Sequence, residues 1–148
     1  MTSSKASTLS TVRPLSHFLQ VKLSRNADGN LQIGSPAQTV VVDFDTGSSD
    51  LWVRTTCNNC QSDGNSFDLT TSSTYKTTNQ PFEIQYGSGA VAGVLASDSV
   101  SLGGLAVSQQ YFGSVNRASY QFQQGAVDGI LGLAFPCVVP RYLRSVHN

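Results

Sequence analysis

A strongly apolar run ends abruptly in a turn motif that begins with a carboxylate. Residues 39–44 (TVVVDF) have the β-branched composition of a buried strand, and residues 45–49 (DTGSS) follow directly. Gly47 permits backbone shapes that other residues resist, and small hydroxyl side chains hydrogen-bond nearby backbone and carboxylate groups. The pattern predicts a rigid, partly desolvated Asp45 that could hold or share a proton, although a solvated turn would give the same short string.

The chain beyond residue 30 reads as short strands joined by glycine turns. Residues 82–86 alternate apolar and polar side chains, as a half-buried strand does. Glycine turns at 87–89 and 103–104 separate this segment from two further strand-like runs, 90–102 and 105–112. Without a helical repeat, this pattern predicts an all-β fold, a sandwich or distorted barrel of short antiparallel strands.

Basic side chains are scarce in the middle of the chain. Between Asn30 and Phe135, three Lys or Arg stand against eight Asp or Glu, a net charge of −5 when the carboxylates are ionised. With the carboxylates protonated the net charge would be only about +3, so charge repulsion would unfold the segment weakly in acid. The composition suits work at low pH. It disfavours nucleic-acid binding, because no basic face is available, and no long apolar run predicts a membrane span.

Five motifs in a fixed order carry a resemblance to a known family. The segment from about residue 30 to residue 136 resembles the N-terminal lobe of pepsin-like aspartic proteases, in variants that look fungal. The matching pieces are IGSPAQ at 33–38, VDFDTGSSDLWV at 42–53, YGSG at 86–89, the run from Gly93 through Asp98 to Gly103, and DGILGLAF at 128–135. The resemblance implies an endopeptidase that hydrolyses peptides or proteins at acid pH with an Asp-activated water and no cofactor. It also implies a secreted or vacuolar location.

The resemblance assigns the chemistry to the turn after the apolar run. Asp45 would be one of two catalytic aspartates that share a proton, because two close carboxylates cannot both ionise easily. Thr46 would join the grip between two active-site loops, with Gly47 in the same turn, and Ser48 would support the Asp45 carboxylate.

The resemblance also implies a flap over the substrate. Tyr86 would be the flap tyrosine, with its hydroxyl held by the indole of Trp52. The other expected substrate contacts are Gly87, Ser88, Asp43 and Ile130. Plain core packing is the alternative for Trp52 and Ile130.

The cysteine pair Cys57 and Cys60 has three interpretations: a redox pair, half of a zinc site, or a disulfide. The only histidines, His17 and His147, lie in the irregular flanks, so no metal site is expected. The resemblance implies a short-loop disulfide between Cys57 and Cys60 and an oxidising compartment. Cys137 is left over.

The resemblance weakens at both ends of the chain. We expect residues 1–29 to be an irregular leader or propeptide remnant without the apolar core of a signal peptide, residues 30–136 a partial lobe, and residues 137–148 an unrelated basic tail. The sequence contains one Asp-Thr-Gly motif, half of a pepsin-like site. A truncated lobe that is inactive alone is therefore expected, needing a C-terminal lobe or a second copy. The alternatives are a homodimeric aspartic protease, as in retroviruses, and a non-catalytic peptide-binding or decoy protein.

Overall fold

The computed structural model describes residues 28–55, 66–124 and 126–134. These residues form seven strands and one helix of four residues. The elements are β1 (Asp28–Ile33), β2 (Gln38–Asp45), β3 (Leu51–Arg54), β4 (Lys76–Tyr86), β5 (Gly89–Leu102), β6 (Leu105–Ala118), α1 (Tyr120–Gln123) and β7 (Gly129–Gly132). The predicted all-β fold is therefore confirmed. Within the described segments, no helix is long and apolar enough to cross a membrane.

Six of the strands close into a barrel. They are hydrogen-bonded in the order β1-β2-β7-β3-β6-β5, and the pairing of β5 with β1 closes the ring. Strand β4 is an extra strand that pairs with β5 to form a long hairpin. Five of the pairings among the described strands are antiparallel, as predicted, and two, β2 with β7 and β3 with β6, are parallel. Strands β5 and β6 are also long, at 14 residues each.

Two apolar clusters hold the barrel and the hairpin. The first cluster takes alternate residues from the barrel strands, as the period of a strand requires. Its buried members are Leu31, Ile33, Val40, Val42, Leu51, Val53, Phe67, Ala96, Val100 and Phe112. The second cluster lies where the hairpin meets the barrel and contains Trp52, Phe82, Ile84, Val91, Leu95, Val115 and Ile130. Burial of such side chains contributes roughly 1.5–3 kcal/mol each.

The glycines of β7 allow this strand to lie between β2 and β3. A Cβ on Gly129 would stand 2.1 Å from the Trp52 carbonyl oxygen, and one on Gly132 would stand 2.5 Å from the Asp50 nitrogen. Only glycine leaves room for such close backbone approach. The Asp-Gly-Ile-Leu-Gly sequence therefore matches the crowding around this strand, which pairs with the end of β2.

The residues predicted to form a leader and a basic tail lie almost entirely outside the described part of the chain. Strand β1 begins at Asp28, and the described residues end at Ala134. The character of both flanks stays a prediction.

Candidate active site

Asp45 occupies the last position of β2, where the strand meets the predicted turn. It pairs with Gly132 of the parallel strand β7, and its carbonyl oxygen accepts a 2.7 Å hydrogen bond from the Leu133 nitrogen. Its carboxylate oxygen Oδ1 accepts a 2.8 Å hydrogen bond from the Gly47 nitrogen. The backbone is thus fixed by a sheet on one side and the side chain by the turn on the other. The half-buried carboxylate has the held position that the sequence predicts.

The other residues of the turn differ in their exposure. Thr46 and Gly47 are exposed, and Ser48 is partly buried. The Ser48 hydroxyl oxygen is buried and has no hydrogen-bond partner among the described residues. A hydrogen bond from Ser48 to Asp45 is not found among the described residues. The support expected of Thr46 and Ser48 therefore remains a prediction.

Trp52 and Tyr86 join the barrel to the tip of the hairpin. The indole Nε1 of Trp52 donates a 2.8 Å hydrogen bond to the Tyr86 hydroxyl, as the resemblance implied. Trp52 is 2% exposed in the second cluster, so its indole is a fixed anchor. Tyr86 is the last residue of β4, and the exposed turn residues Gly87 and Ser88 follow it. The hairpin is thus tied at its tip to the strand that follows the Asp45 turn.

The Tyr86 phenol lies in an apolar and negatively charged setting. Burial raises the pKa of Tyr86 to about 12, the hydrogen bond from Trp52 opposes this, and the charges of Asp50 and Asp45 raise it further. At any pH below that value Tyr86 carries its proton and can donate one hydrogen bond.

Asp43 and Ile130 are direct neighbours in the pairing of β2 with β7. Ile130 is 8% exposed, belongs to the second cluster and pairs with Trp52 across β3 and β7. Both Trp52 and Ile130 therefore pack in the core, as the alternative interpretation proposed. Asp43 is half-buried on the adjacent strand. Whether these residues line a substrate pocket stays a prediction.

Sequence reasoning missed three features beside this site. Burial raises the pKa of Asp50, which follows the turn. Phe122 of α1 packs edge-on against Trp52 and Tyr86. Arg54 and Asp128, 74 positions apart, form a buried ion pair. The sequence feature that could have pointed to this ion pair was a single arginine, Arg54, directly after the apolar residues 51–53.

The cysteines and the metal question lie partly outside the described structure. Cys57, Cys60 and Cys137 are not among the described residues, so the predicted disulfide stays a prediction. Within residues 28–55, 66–124 and 126–134, no three His, Cys, Asp or Glu side chains are grouped to hold a metal ion.

Known proteins are similar to this chain over most of its length. The eukaryotic aspartyl protease family matches residues 28–145. Syncephapepsin from Syncephalastrum racemosum is 48% identical over 110 residues, which are 73% of this chain and 27% of that protein. Rhizopuspepsin from Rhizopus chinensis is 43% identical over 112 residues, 74% of this chain and 28% of that protein. Pepsin A from Bos taurus is 39% identical over 139 residues, 90% of this chain and 36% of that protein. The chain therefore spans about a third or less of these relatives' length, and it belongs to the eukaryotic aspartyl protease family.

Proposed function

We propose that this chain supplies one half of the active site of an aspartic endopeptidase. Asp45 is the carboxylate of that half, and peptide bonds are hydrolysed at acid pH. The observation that carries the proposal is the placement of Asp45: its carboxylate is held by the Gly47 nitrogen on a turn beside the hydrogen-bonded pair of Trp52 and Tyr86. Membership of the aspartyl protease family gives that placement its chemical meaning.

The proposed reaction needs two carboxylates that share one proton. The ionised carboxylate takes a proton from a water molecule, whose oxygen attacks the carbonyl carbon of the peptide bond. The protonated carboxyl donates its hydrogen to the carbonyl oxygen, which gives a tetrahedral intermediate. The carboxyl that took the water proton then donates it to the nitrogen as the C–N bond breaks, and the other carboxylate recovers a proton from a hydroxyl of the intermediate. Since the sequence contains one Asp-Thr-Gly motif, the second carboxylate comes from a partner of these 148 residues. A further lobe of a longer protein or a second copy of this chain could supply it.

The substrate is a peptide or unfolded protein segment bound beneath the β4–β5 hairpin. The exposed residues Gly87 and Ser88 would contact its backbone, and Tyr86 would offer its phenol hydrogen. A hairpin that closes over an extended peptide excludes water from the reacting bond. The net acidic character of residues 30–135 fits an acidic secreted or vacuolar compartment.

Complementation tests this proposal. The full chain is mixed with a separately produced second lobe of a two-lobed family member, and cleavage of denatured protein is followed between about pH 3 and pH 6, where carboxylates titrate. We expect cleavage in the mixture, none from either part alone, and inhibition by a transition-state inhibitor of aspartic proteases. An inactive mixture of folded parts that demonstrably associate would overturn the proposal.

A homodimer is the second candidate, and one observation favours it. An apolar groove of about 320 Å³ is lined by Ser49 of the Asp45 turn and by Gly132, which pairs with Asp45, together with Leu105 and Val107, which are 73% and 51% exposed. A second copy seated there would lie beside Asp45. In that case the chain alone would cleave substrate, and its specific activity would rise with chain concentration.

A further inference from the structure

Arg54 is a buried cation at the end of β3. The residue is 3% exposed, and its Nη2 atom lies 3.3 Å from Oδ1 of Asp128, which is 1% exposed. Asp128 is in turn tied to the barrel, since its Oδ2 accepts a 2.9 Å hydrogen bond from the Val41 nitrogen. The Arg54 nitrogen also donates a 2.7 Å hydrogen bond to the Asp128 carbonyl oxygen. The guanidinium is therefore held by Asp128, which is itself hydrogen-bonded to β2 through Val41 and to β3 through the Arg54 backbone.

The free donors of Arg54 reach the segment between β6 and β7. Nη2 donates a 2.9 Å hydrogen bond to the Val127 carbonyl oxygen, and Nη1 donates longer bonds of 3.4 Å to the carbonyl oxygens of Phe122 and Gln123. The helix α1 in this segment has four residues, no side-chain cap and no buried residue. So short a helix has little stability of its own. Among the described residues, the Arg54 guanidinium is therefore one of two polar links between the end of α1 and the barrel, the other being a 2.6 Å hydrogen bond from Gln123 Nε2 to the Ala118 carbonyl oxygen of β6.

The Phe122 ring connects this segment to the flap. Its centroid lies 5.7 Å from the Trp52 ring at an interplanar angle of 83°, and 5.3 Å from the Tyr86 ring at 61°. Edge-to-face pairs of this kind contribute beyond the area they bury. Phe122 therefore supports both partners of the hydrogen bond between Trp52 and Tyr86.

We propose that Arg54 is a positioning residue for the flap tyrosine. By holding the Phe122, Gln123 and Val127 carbonyls against the barrel, it fixes the Phe122 ring, and that ring fixes Tyr86 relative to the Asp45 turn. The catalytic importance of placing Tyr86 beside the Asp45 turn rests on the proposed function. The contacts themselves do not.

A simple gain in stability does not account for this arrangement. Desolvation of a buried ion pair offsets much of its attraction, so a well-packed apolar pair often stabilises a fold as well or better. An apolar pair could not donate hydrogen bonds to three carbonyl oxygens. Lysine would keep the charge but would replace the planar fork of donors by a single ammonium group.

The chain offers one specific reporter, because Trp52 is its only tryptophan. The single indole N–H signal in a ¹⁵N–¹H NMR spectrum of the full chain reports the hydrogen bond to Tyr86 and the ring current of Phe122. We expect Arg54→Lys to shift this signal in the same direction as Phe122→Ala. Its hydrogen exchange should become about fivefold faster, the factor typical of one weakened hydrogen bond. The exposed Arg117→Lys should leave the signal unchanged.

The double variant separates an effect through Phe122 from a direct effect along β3. When Phe122 is already alanine, Arg54→Lys should shift the indole signal no further. Additive shifts in the double variant, or an indole signal unmoved by Arg54→Lys, would overturn the proposal.

A measurement on the unaltered chain decides the matter if Arg54→Lys fails to fold. The Trp52 indole hydrogen and the Gln123 amide hydrogen should exchange through one opening event, with equal dependence on denaturant. Exchange of the indole together with the tip of the hairpin, while the Gln123 amide exchanges separately, would contradict the proposal. Neither readout requires catalysis. An inactive complemented enzyme would therefore refute the proposed function and leave the positioning role standing.

Discussion

Alanine at position 129 gives the sharpest test of how the Asp45 strand is held. Gly129 lies in β7, opposite Val53 of β3 and Val42 of β2. A Cβ at this position would stand 2.1 Å from the Trp52 carbonyl oxygen and 3.0 Å from the Val53 Cα. Both neighbours are backbone atoms in the middle of a sheet, so neither can rotate away as a side chain could.

The cost follows from the opening that the new methyl group requires. Because Cβ contacts under 3.0 Å are essentially not found, β7 and β3 must separate by about 0.9 Å. The 2.7 Å hydrogen bond from the Arg54 nitrogen to the Asp128 carbonyl oxygen lies beside this contact, so a shift of that size would lengthen or break it. The loss of one or two such bonds together with local overpacking costs about 3 kcal/mol of unfolding free energy.

Urea unfolding followed by the fluorescence of Trp52 measures this cost, since the buried indole becomes exposed on unfolding. The matched control is Gly87→Ala at the hairpin turn, where a Cβ would meet nothing within 4 Å. We expect the control to be neutral or up to about 1 kcal/mol more stable, because alanine restricts the unfolded chain. A Gly129→Ala protein within about 0.5 kcal/mol of the unaltered chain would refute the crowding argument.

Three further predictions use the site and its surroundings. The pKa of Tyr86 is raised from 10.0 to about 12 on folding, so the contribution of the neutral phenol to stability is complete below pH 10 and is lost as the pH rises towards 12. Between pH 9 and pH 12, the melting temperature of Tyr86→Phe should therefore fall less steeply with pH than that of the unaltered chain. Burial raises the pKa of Asp50 above 3.8, so the ionised Asp50 carboxylate destabilises the folded chain at neutral pH. Asp50→Asn should therefore raise the melting temperature more at pH 7 than at pH 3, and an equal rise at both pH values would contradict this. The side-chain amide of Gln38 donates a hydrogen bond to the Asp68 carbonyl oxygen and accepts one from the Asp68 nitrogen. Gln38→Ala should therefore lower the free energy of unfolding in urea by about 1–2 kcal/mol, and an unchanged value would show that these two bonds do not hold the Asp68 segment.

Local pattern was enough to predict the strands that carry the site. The alternation of residues 82–86 and the glycine turn that follows gave the hairpin, because a period of two and a turn signal are both properties of neighbouring residues. The abrupt change from residues 39–44 to Asp45 gave the held carboxylate for the same reason. The contact of Trp52 with Tyr86 came only from the family resemblance.

Contacts between distant segments could not be predicted in this way. The closure of the barrel by Ile33 and Val100 and the parallel placement of β7 depend on which strands meet, and no local period encodes that choice. The helix α1 is too short to show a helical period. The ion pair of Arg54 with Asp128 could not be predicted, because neither residue indicates an ion pair until the fold brings the two side chains together.

The rate of acid proteolysis by the complemented enzyme, with and without Asp45→Asn, tests the central claim most directly. A positioned acid–base group contributes roughly 100- to 10,000-fold, so the variant should lose activity by a factor in that range. Asp68→Asn removes a carboxylate outside the proposed site and is the matched control, which should retain the full rate. An Asp45→Asn enzyme as active as this control would show that Asp45 does not perform the chemistry.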